Sequence, residues 1–260
     1  QTTGKTNTIT VAKGLSAGTH TITVTKDTEA GIGYLEMVGF RCASLAALPA
    51  KPKRKLEFIG DSITCGAESD LSVAPCGTGE WFDRHNAYSS YGMATARRLN
   101  AQVHLSSRSG IGLMHSCCDM KQVMPDVWNT LDLETPARKW DTRRYQPDAL
   151  MICLGQNDGE QDPQAFDVAY IAFLKTLRAA YPKTQIVCLT SPMGSENLRT
   201  YQKNALTRIV ANRKSAGDSR VSTYVFSRGY NAGCGGHPDT ADHAKIAAEL
   251  SNYLKTTLKW

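Results

Sequence analysis

The sequence predicts an α/β protein in which helices cover both faces of a parallel sheet, giving a three-layer α/β/α sandwich. Three observations support this prediction. From Lys55 onward, short β-rich apolar runs alternate with longer amphipathic runs that suit helices. The apolar runs have the character of strands buried on both faces, as in parallel sheets. Residues 1–50 show only short segments of alternating polarity and no helical pattern. We therefore predict a separate N-terminal part at 1–50 and an α/β domain at 51–260.

Strand and helix candidates alternate through the α/β domain. The predicted strands are Leu56–Ile59, Val103–Ser106, Ala149–Leu154, Gln185–Thr190 and Ser222–Phe226. The predicted helices are Tyr88–Leu99, Phe166–Tyr181, Leu198–Asn212 and Asp239–Leu258. In the second helix the apolar residues recur at a spacing that places them on one face. Strand followed by helix, repeated along the chain, favours a parallel sheet.

The N-terminal part contains three segments whose polarity alternates, namely Thr8–Val11, His20–Thr25 and Gly33–Cys42. Such alternation is typical of half-buried strands. Three strands cannot bury a two-sided core by themselves. We therefore expect an incomplete β-sandwich that packs against another part of the protein, followed by a linker that contains Pro49 and Pro52.

The composition excludes several classes of protein. The 260 residues are 41% hydrophobic with a net charge of +6, which is compatible with a large folded core. The basic residues are scattered except at 51–55, whereas a nucleic-acid surface usually shows a longer basic stripe. No apolar run approaches the length of about 18 residues that a membrane span needs. The polar start at Gln1 is that of a chain whose signal peptide has been removed or of a sequence that begins inside a longer protein. We expect a secreted or periplasmic protein.

The eight cysteines leave the redox compartment open. Cys65 and Cys76 flank a loop and are candidates for a disulfide, although their spacing alone cannot show one. The adjacent Cys117 and Cys118 match no zinc-binding pattern. We therefore favour a structural role for these cysteines and predict no metal site.

Chemically reactive residues follow the predicted strands. Ser62 follows the first strand, Gly110 the second and Asn157 the third, and His237 lies in a loop beyond the last. Each residue alone has an ordinary interpretation as a turn or surface residue. However, ligands of parallel α/β sheets bind beyond the carboxyl ends of the strands. The shared location therefore favours one functional site.

The chemistry of these residues is that of a serine nucleophile. A serine hydroxyl needs a base to take its proton, most often a histidine, and His237 is the best placed of the six histidines. Attack on an ester carbonyl creates an oxyanion that must meet preplaced N–H donors. The backbone N–H groups of Ser62 and Gly110 and the side-chain amide of Asn157 are the candidate donors.

Four blocks carry a family resemblance: "FIGDSIT" at 58–64, "SSRSGIGL" at 106–113, "LGQND" at 154–158 and "HP" at 237–238. In this order they resemble the signature blocks of the SGNH, or GDSL, hydrolases. The resemblance implies a flavodoxin-like sheet order. It also implies that Ser62 is the nucleophile, His237 the base, and Gly110 and Asn157 the oxyanion donors.

A narrower resemblance, to the family-two carbohydrate esterases, is carried by the N-terminal "GLSAGTHTITVTKDTEAGIGYLEMVGF", by "KWDTRRYQPDALMICLGQND" and by the ending "GCGGHPDTADHAKIAAEL". Those enzymes join a jelly-roll β-sandwich to an SGNH domain and remove acetyl groups from plant cell-wall polysaccharides. The resemblance therefore implies a serine esterase that needs no cofactor and acts on acetylated xylan or glucomannan. The sandwich here is incomplete, because family members carry more strands before Gly14, so we expect a truncated or processed form or strands supplied from elsewhere.

The sequence departs from most SGNH enzymes at the position three residues before the histidine. An aspartate usually orients the imidazole there, but this chain has Cys234. The family-two resemblance implies that a backbone carbonyl holds His237 instead, which gives a Ser62–His237 dyad. Asp239 and Asp242 are the alternative orienting groups, although acidic residues in the first turn of a helix are also favoured by its dipole.

Four aromatic residues in the connections are candidates for stacking on sugar rings: Trp81, Trp128, Trp140 and Tyr230. Packing of the loops is the competing interpretation of each. Two other functions stay open at this point. One is a lipid or thioester hydrolase of the same superfamily, which would need a wide apolar mouth, and the other is a carbohydrate-binding protein that has lost activity. The sequence leaves the oligomeric state and the deacetylated hydroxyl undetermined.

Overall fold

The structure, a computed structural model, describes residues 4–133, 135 and 137–260, so the first three residues of the predicted N-terminal part lie outside the described residues. A parallel five-stranded sheet forms its centre, in the order β2-β1-β3-β4-β5. The strands are β1 Arg54–Gly60, β2 Ala101–Ser107, β3 Ala149–Cys153, β4 Gln185–Leu189 and β5 Val221–Tyr224. Each lies within a few residues of its predicted bounds. The predicted α/β fold with a flavodoxin-like sheet order is confirmed.

Helices occupy the connections between the strands. They are α1 Ser62–Cys65, α2 Tyr91–Arg98, α3 Met124–Val127, α4 Pro163–Ala180, α5 Glu196–Ser215 and α6 Thr240–Leu258. The three long ones begin at capping side chains, because Asp162, Ser195 and Asp239 each accept a hydrogen bond from a backbone N–H in the first turn. The sequence predicted α2 from Tyr88, but Ala87–Ser89 forms a separate 3-10 turn ahead of the helix.

The sheet is covered on both faces, which explains why its strands are apolar throughout. On one face, Ile59 and Ile152 pack with side chains of α4 and α5, such as Phe166 and Ile209. The opposite face packs side chains from α2 and α6 against Phe58 and Met151. Burial of apolar surface on two faces therefore holds β1 between the two helical layers.

β1 lies at the point where the order of the strands reverses, with β2 on one side and β3 on the other. The chain leaves β1 in one direction to form β2 and later returns past it to form β3. The loops after these strands therefore separate above the carboxyl end of β1 and open a crevice. Ser62 follows β1 directly and lies at the base of that crevice.

The three strands predicted in the N-terminal part do not form. Thr8–Val11, His20–Thr25 and Gly33–Cys42 run without strand pairing, and the described residues before Arg54 contain no strand. Their apolar side chains are largely exposed, as Tyr34 at 89% illustrates. The physical reason is that alternating polarity predicts a strand only if a neighbouring strand takes the backbone hydrogen bonds and a second layer covers the apolar face. The described part of the chain supplies neither for these segments.

None of the described helices combines the length and the apolar character that crossing a membrane requires.

The strand that leads to Ser62 carries a buried acid. Glu57 in β1 is 2% exposed, and Ser106 Oγ donates a hydrogen bond to its Oε1 at 3.2 Å. Burial raises the pKa of Glu57 to about 7, against its ordinary value of 4.5, although hydrogen bonds from Tyr181 and Ser106 oppose the shift. The native state therefore keeps a proton that the unfolded chain loses between these two pH values.

We expect Glu57→Gln to stabilise the protein at alkaline pH, because the variant avoids an ionised carboxylate inside the sheet. The wild-type stability should fall as the pH rises from about 4.5 to 7, so the gain should be absent at pH 4 and reach about 3 kcal/mol at pH 8. Urea unfolding at pH 4 and pH 8 measures this gain in the free energy of unfolding. Glu160→Gln, at an exposed site, is the control. Equal free energies of unfolding for wild type and Glu57→Gln at pH 8 would contradict the prediction.

Candidate functional site

Ser62 is held at the end of β1 by a tight turn. Asp61 caps the short helix α1, and its Oδ1 accepts a hydrogen bond from the backbone N–H of Ile63 at 3.1 Å. Gly60 has no room for a side chain, since a Cβ there would lie 2.1 Å from Thr64 Oγ1 and 3.0 Å from the carbonyl oxygen of Cys153. The Gly-Asp-Ser sequence therefore turns the chain sharply enough to present Ser62 at the strand end.

The structure brings Ser62 and His237 together although 175 positions separate them. The Nε2 atom of His237 lies 2.9 Å from Ser62 Oγ, and its Nδ1 lies 3.2 Å from the carbonyl oxygen of Cys234. A carbonyl oxygen can only accept, so Nδ1 carries the proton and donates it to Cys234. Nε2 is then the free acceptor that faces the serine hydroxyl, as a general base requires.

The half-buried position of His237 keeps its imidazole neutral. Burial lowers the pKa below the ordinary value of 6.5, and this effect outweighs the hydrogen bond to Cys234 and the nearby Glu68 carboxylate, which both raise it. A neutral ring can take a proton from Ser62. His243, by contrast, is fully buried in α6, accepts from the N–H of Tyr91 at 3.1 Å and has a pKa lowered to about 3.

The two acidic residues considered for orienting His237 are occupied elsewhere. Asp239 caps α6 by accepting from the N–H of Asp242 at 2.7 Å. Asp242 accepts from the N–H of Ala232 at 3.0 Å and pairs with Lys245 at 3.2 Å. Both acids thus serve the start of the helix, and the group at His237 Nδ1 is a main-chain carbonyl.

Disulfides lie on both sides of the site, among the described residues. Cys76 is bonded to Cys234, the residue whose carbonyl holds His237. The sequence had offered Cys65 as the partner of Cys76, but Cys65 is a buried free thiol. Cys65 is the last residue of α1, and its thiol donates to Ser107 Oγ at 3.3 Å. The adjacent Cys117 and Cys118 are joined to each other.

Gly110 lies in the loop after β2, with a φ of +82° that disfavours other residues. A Cβ at this position would also approach within 2.7 Å of Cys117 Sγ. The loop is fastened to the strand end of the nucleophile, because the N–H of Arg108 donates to the carbonyl of Gly60 at 3.3 Å. Gly110 is thereby kept close to Ser62.

Asn157 follows β3 and reaches the same region. Its Nδ2 donates to the carbonyl of Ile111 at 2.9 Å and lies 3.5 Å from Asp61 Oδ2. The side-chain amide thus bridges the loop after β2 and the turn that holds Ser62. An amide nitrogen carries two hydrogens, so one is bonded to Ile111 and the second is directed at Asp61 Oδ2 in the longer contact.

Asp158 is a residue to which the sequence analysis gave no role, although it lies in the third signature block. Its buried carboxylate accepts three backbone hydrogen bonds from the loop after Gly110, namely from Leu113 at 2.8 Å, Met114 at 2.6 Å and His115 at 2.9 Å. The available signal was its position in the "LGQND" block beside Asn157. A carboxylate that receives several N–H groups fixes a loop strongly.

The structure corrects two of the four aromatic candidates. Trp128 is 6% exposed and packs against Phe173 and Tyr181 in the core. Tyr230 is 3% exposed, and its hydroxyl donates to Glu249. Neither ring presents an exposed face to a sugar, because both are buried by packing against other side chains.

The remaining two aromatics differ in location. Trp140 contacts His104 in the middle of β2, with ring centroids 5.4 Å apart, rather than a residue at a strand end. Trp81 is 45% exposed, and its ring lies 4.6 Å from that of His85, in the connection between β1 and α2. Both stay predictions as sugar contacts, and exposure favours Trp81.

Comparison with known proteins assigns two regions. A sequence model of the GDSL-like lipase/acylhydrolase family matches residues 58–245, and one of the carbohydrate esterase 2 N-terminal domain matches residues 1–52. The chain is similar to a solved structure of a family two carbohydrate esterase from Clostridium thermocellum in complex with cellohexaose. That match has 31% identity and a TM-score of 0.74, and it covers 84% of this chain and 68% of the other.

Two curated relatives are similar over most of the chain. The cellulase/esterase CelE of Acetivibrio thermocellus is 32% identical over 98% of this chain. An acetylxylan esterase / glucomannan deacetylase of Cellvibrio japonicus is 32% identical over 82% of it. The matched regions span 32% and 59% of the lengths of these two relatives.

We expect Cys76→Ser to destabilise the protein by about 2–5 kcal/mol, because the Cys76–Cys234 bond closes a long loop. The amide of His237, which donates to the carbonyl of Cys234 at 3.0 Å, should also exchange its hydrogen faster. Urea unfolding and hydrogen exchange measure the two effects. Cys42→Ser, at an exposed free thiol, is the control. Unchanged stability and exchange in Cys76→Ser would show that the disulfide does not hold this loop.

Proposed function

Because the chain belongs to the GDSL-like lipase/acylhydrolase family and, within it, to the family two carbohydrate esterases, we propose that it is a secreted serine esterase that removes O-acetyl groups from plant cell-wall polysaccharide. The observation that carries the proposal is the 2.9 Å contact between Ser62 Oγ and His237 Nε2 at the end of β1. A serine beside a neutral imidazole suits nucleophilic acyl transfer. The relative named acetylxylan esterase / glucomannan deacetylase supports acetylated xylan and glucomannan as substrates.

In the first half of the reaction, Ser62 Oγ attacks the acetyl carbonyl carbon while its proton moves to His237 Nε2. The carbonyl oxygen becomes an oxyanion, which the N–H groups of Ser62 and Gly110 stabilise together with the Asn157 Nδ2 hydrogen that exchanges its long contact with Asp61 for the oxyanion. The tetrahedral intermediate then collapses. The sugar oxygen leaves with the proton from His237, and the acetyl group stays on Ser62.

In the second half, a water molecule attacks the acetyl-enzyme. His237 Nε2 takes a proton from the water and returns it to Ser62 Oγ as that oxygen leaves, so acetic acid is released and the enzyme is restored. The imidazole must keep one orientation through both halves. The Cys234 carbonyl does this at Nδ1, so the catalytic pair works as a dyad without an acidic side chain.

The test of this function is acetate release from acetylated xylan and acetylated glucomannan, by wild type and by Ser62→Ala. We expect release by the wild type and none by the variant, because the variant lacks the nucleophile. The two polymers are ranked by kcat/KM. Circular dichroism of the variant confirms that it is folded. Absence of release by the wild type, with polysaccharide binding retained, would favour the carbohydrate-binding alternative.

The pH dependence of kcat/KM tests the base. His237 must be neutral to accept the proton, and its pKa lies below 6.5, so activity should rise through a single step with a midpoint below pH 6.5 and then stay level. Burial also raises the pKa of Asp61 to about 7. The variant Asp61→Asn lacks this second titrating group and therefore serves as the control. The rise of kcat/KM that comes from deprotonation of His237 should persist in it. A midpoint at pH 7 or above in both proteins would exclude His237 as the base with the pKa described.

A further inference from the structure

We propose that Glu29 is a positioning residue for the catalytic centre. Its carboxylate holds the loop that presents Gly110 and contacts the chain of hydrogen bonds that leads to His237. The inference rests on the proposed function for the roles of Gly110 and His237. Glu29 belongs to the N-terminal part, most of whose described residues are exposed, yet its side chain is only 8% exposed. The contacts of its carboxylate carry the argument.

A compact turn presents Glu29 to the α/β domain. Lys26 Nζ donates to the carbonyl of Glu29 at 2.6 Å and to Thr28 Oγ1 at 2.8 Å, and Thr28 Oγ1 donates to the carbonyl of Ile32 at 2.8 Å. The N–H of Ala87, in the α/β domain, donates to the carbonyl of Asp27 at 3.0 Å. The turn is thus ordered by its own bonds and attached beside Glu29.

One carboxylate oxygen of Glu29 holds the loop after β2. Its Oε2 accepts a hydrogen bond from the N–H of Ser109 at 2.6 Å, and the thiol of Cys65, whose single hydrogen is shared with Ser107 Oγ at 3.3 Å, lies 3.7 Å from the same atom. Ser109 directly precedes Gly110, and Cys65 is in α1, the helix that begins with Ser62. The single oxygen therefore links the nucleophile's helix to the peptide unit next to the oxyanion glycine.

The other oxygen faces the loop of His237 through three intermediates. Oε1 lies 3.4 Å from His85 Nε2. The N–H of Glu68 donates to His85 Nδ1 at 3.4 Å, which leaves the ring proton on Nε2, close to Glu29 Oε1 but outside hydrogen-bond geometry. The carbonyl of Glu68 accepts from the N–H of Cys234 at 3.1 Å, and the carbonyl of Cys234 holds His237. Glu29 thus contacts the supports of both halves of the site.

The charge state of Glu29 suits this role. Burial opposes its ionisation, but the nearby His85 ring and the hydrogen bond from Ser109 outweigh burial and lower its pKa. A carboxylate is the stronger acceptor for a backbone N–H. Together with Asp158, which binds the far side of the same loop, Glu29 leaves the peptide units around Gly110 little freedom to rotate.

The test compares Glu29→Gln and Glu29→Ala with Glu36→Gln, an exposed acid of the same N-terminal part. A glutamine can accept from Ser109 but then directs an NH₂ group at the Nε2–H of His85, so one contact is lost. Alanine removes both. We expect kcat to fall about 10-fold in Glu29→Gln and about 100-fold in Glu29→Ala, with KM unchanged, because misplaced oxyanion donors weaken the transition state rather than substrate binding.

The readouts are kcat and KM on an aryl acetate, and the rate at which a fluorophosphonate probe labels Ser62, which needs no polysaccharide. Melting temperatures set an assay temperature at which every variant is folded. If a variant fails to fold, Glu29→Asp replaces it, because aspartate keeps the negative charge on a shorter side chain. Values of kcat and labelling within twofold of wild type in the Glu29 variants, or an equal loss in Glu36→Gln, would overturn the proposal.

The two proposals fail in different ways. If wild type labels quickly but releases no acetate from either polymer, the substrate assignment is wrong, and slower labelling of Glu29→Gln still supports the positioning role. If acetate is released normally by wild type and by both Glu29 variants, the positioning role is wrong and the esterase assignment stands.

Discussion

The hydrogen bond from His237 Nδ1 to the carbonyl of Cys234 is the contact on which the candidate site depends. A carboxylate side chain can adjust its rotamer to follow a histidine, but a carbonyl three residues away is placed only by the conformation of the loop. The loop must therefore be rigid. Its rigidity comes from the disulfide at Cys234, from the bond between Glu68 and the N–H of Cys234, and from the bond between the N–H of Gly233 and the carbonyl of His237 at 2.7 Å.

The oxyanion side of the site follows the same principle with different groups. Backbone N–H donors have fixed directions only if their peptide units are held, and two buried carboxylates hold them here. Asp158 arrives from the end of β3 and Glu29 from the N-terminal part. Desolvating two acids is costly, and the N–H groups that each receives offset that cost. The site is thus an arrangement of loops made rigid by buried charge, above a sheet whose apolar faces give a fixed base.

The sequence predicted the strands of the α/β domain, its long helices and the proximity of Ser62 and His237 well, because each depends on a short-range pattern or on the shared position of strand ends. It failed where long-range packing decides. The segment Thr8–Val11 has the polarity of a strand but lacks a partner. For Trp128 and Tyr230 the sequence left sugar stacking and loop packing as alternatives, and their burial favours packing. Glu29 carried no local signal, since its partners lie at 65, 85 and 109.

The sequence pattern changes near residue 50, but hydrogen bonds join the residues on the two sides of that boundary. The carbonyl of Asp27 and the carboxylate of Glu29 lie inside the bonding network of the α/β domain. The N-terminal part and the α/β domain therefore cannot be exchanged between homologues as independent modules. A recombined protein would keep these contacts only if Glu29 and the groups around its carboxylate, namely the side chains of Cys65 and His85 and the N–H of Ser109, came from the same parent. Positions 29, 65 and 85 should therefore change together during evolution.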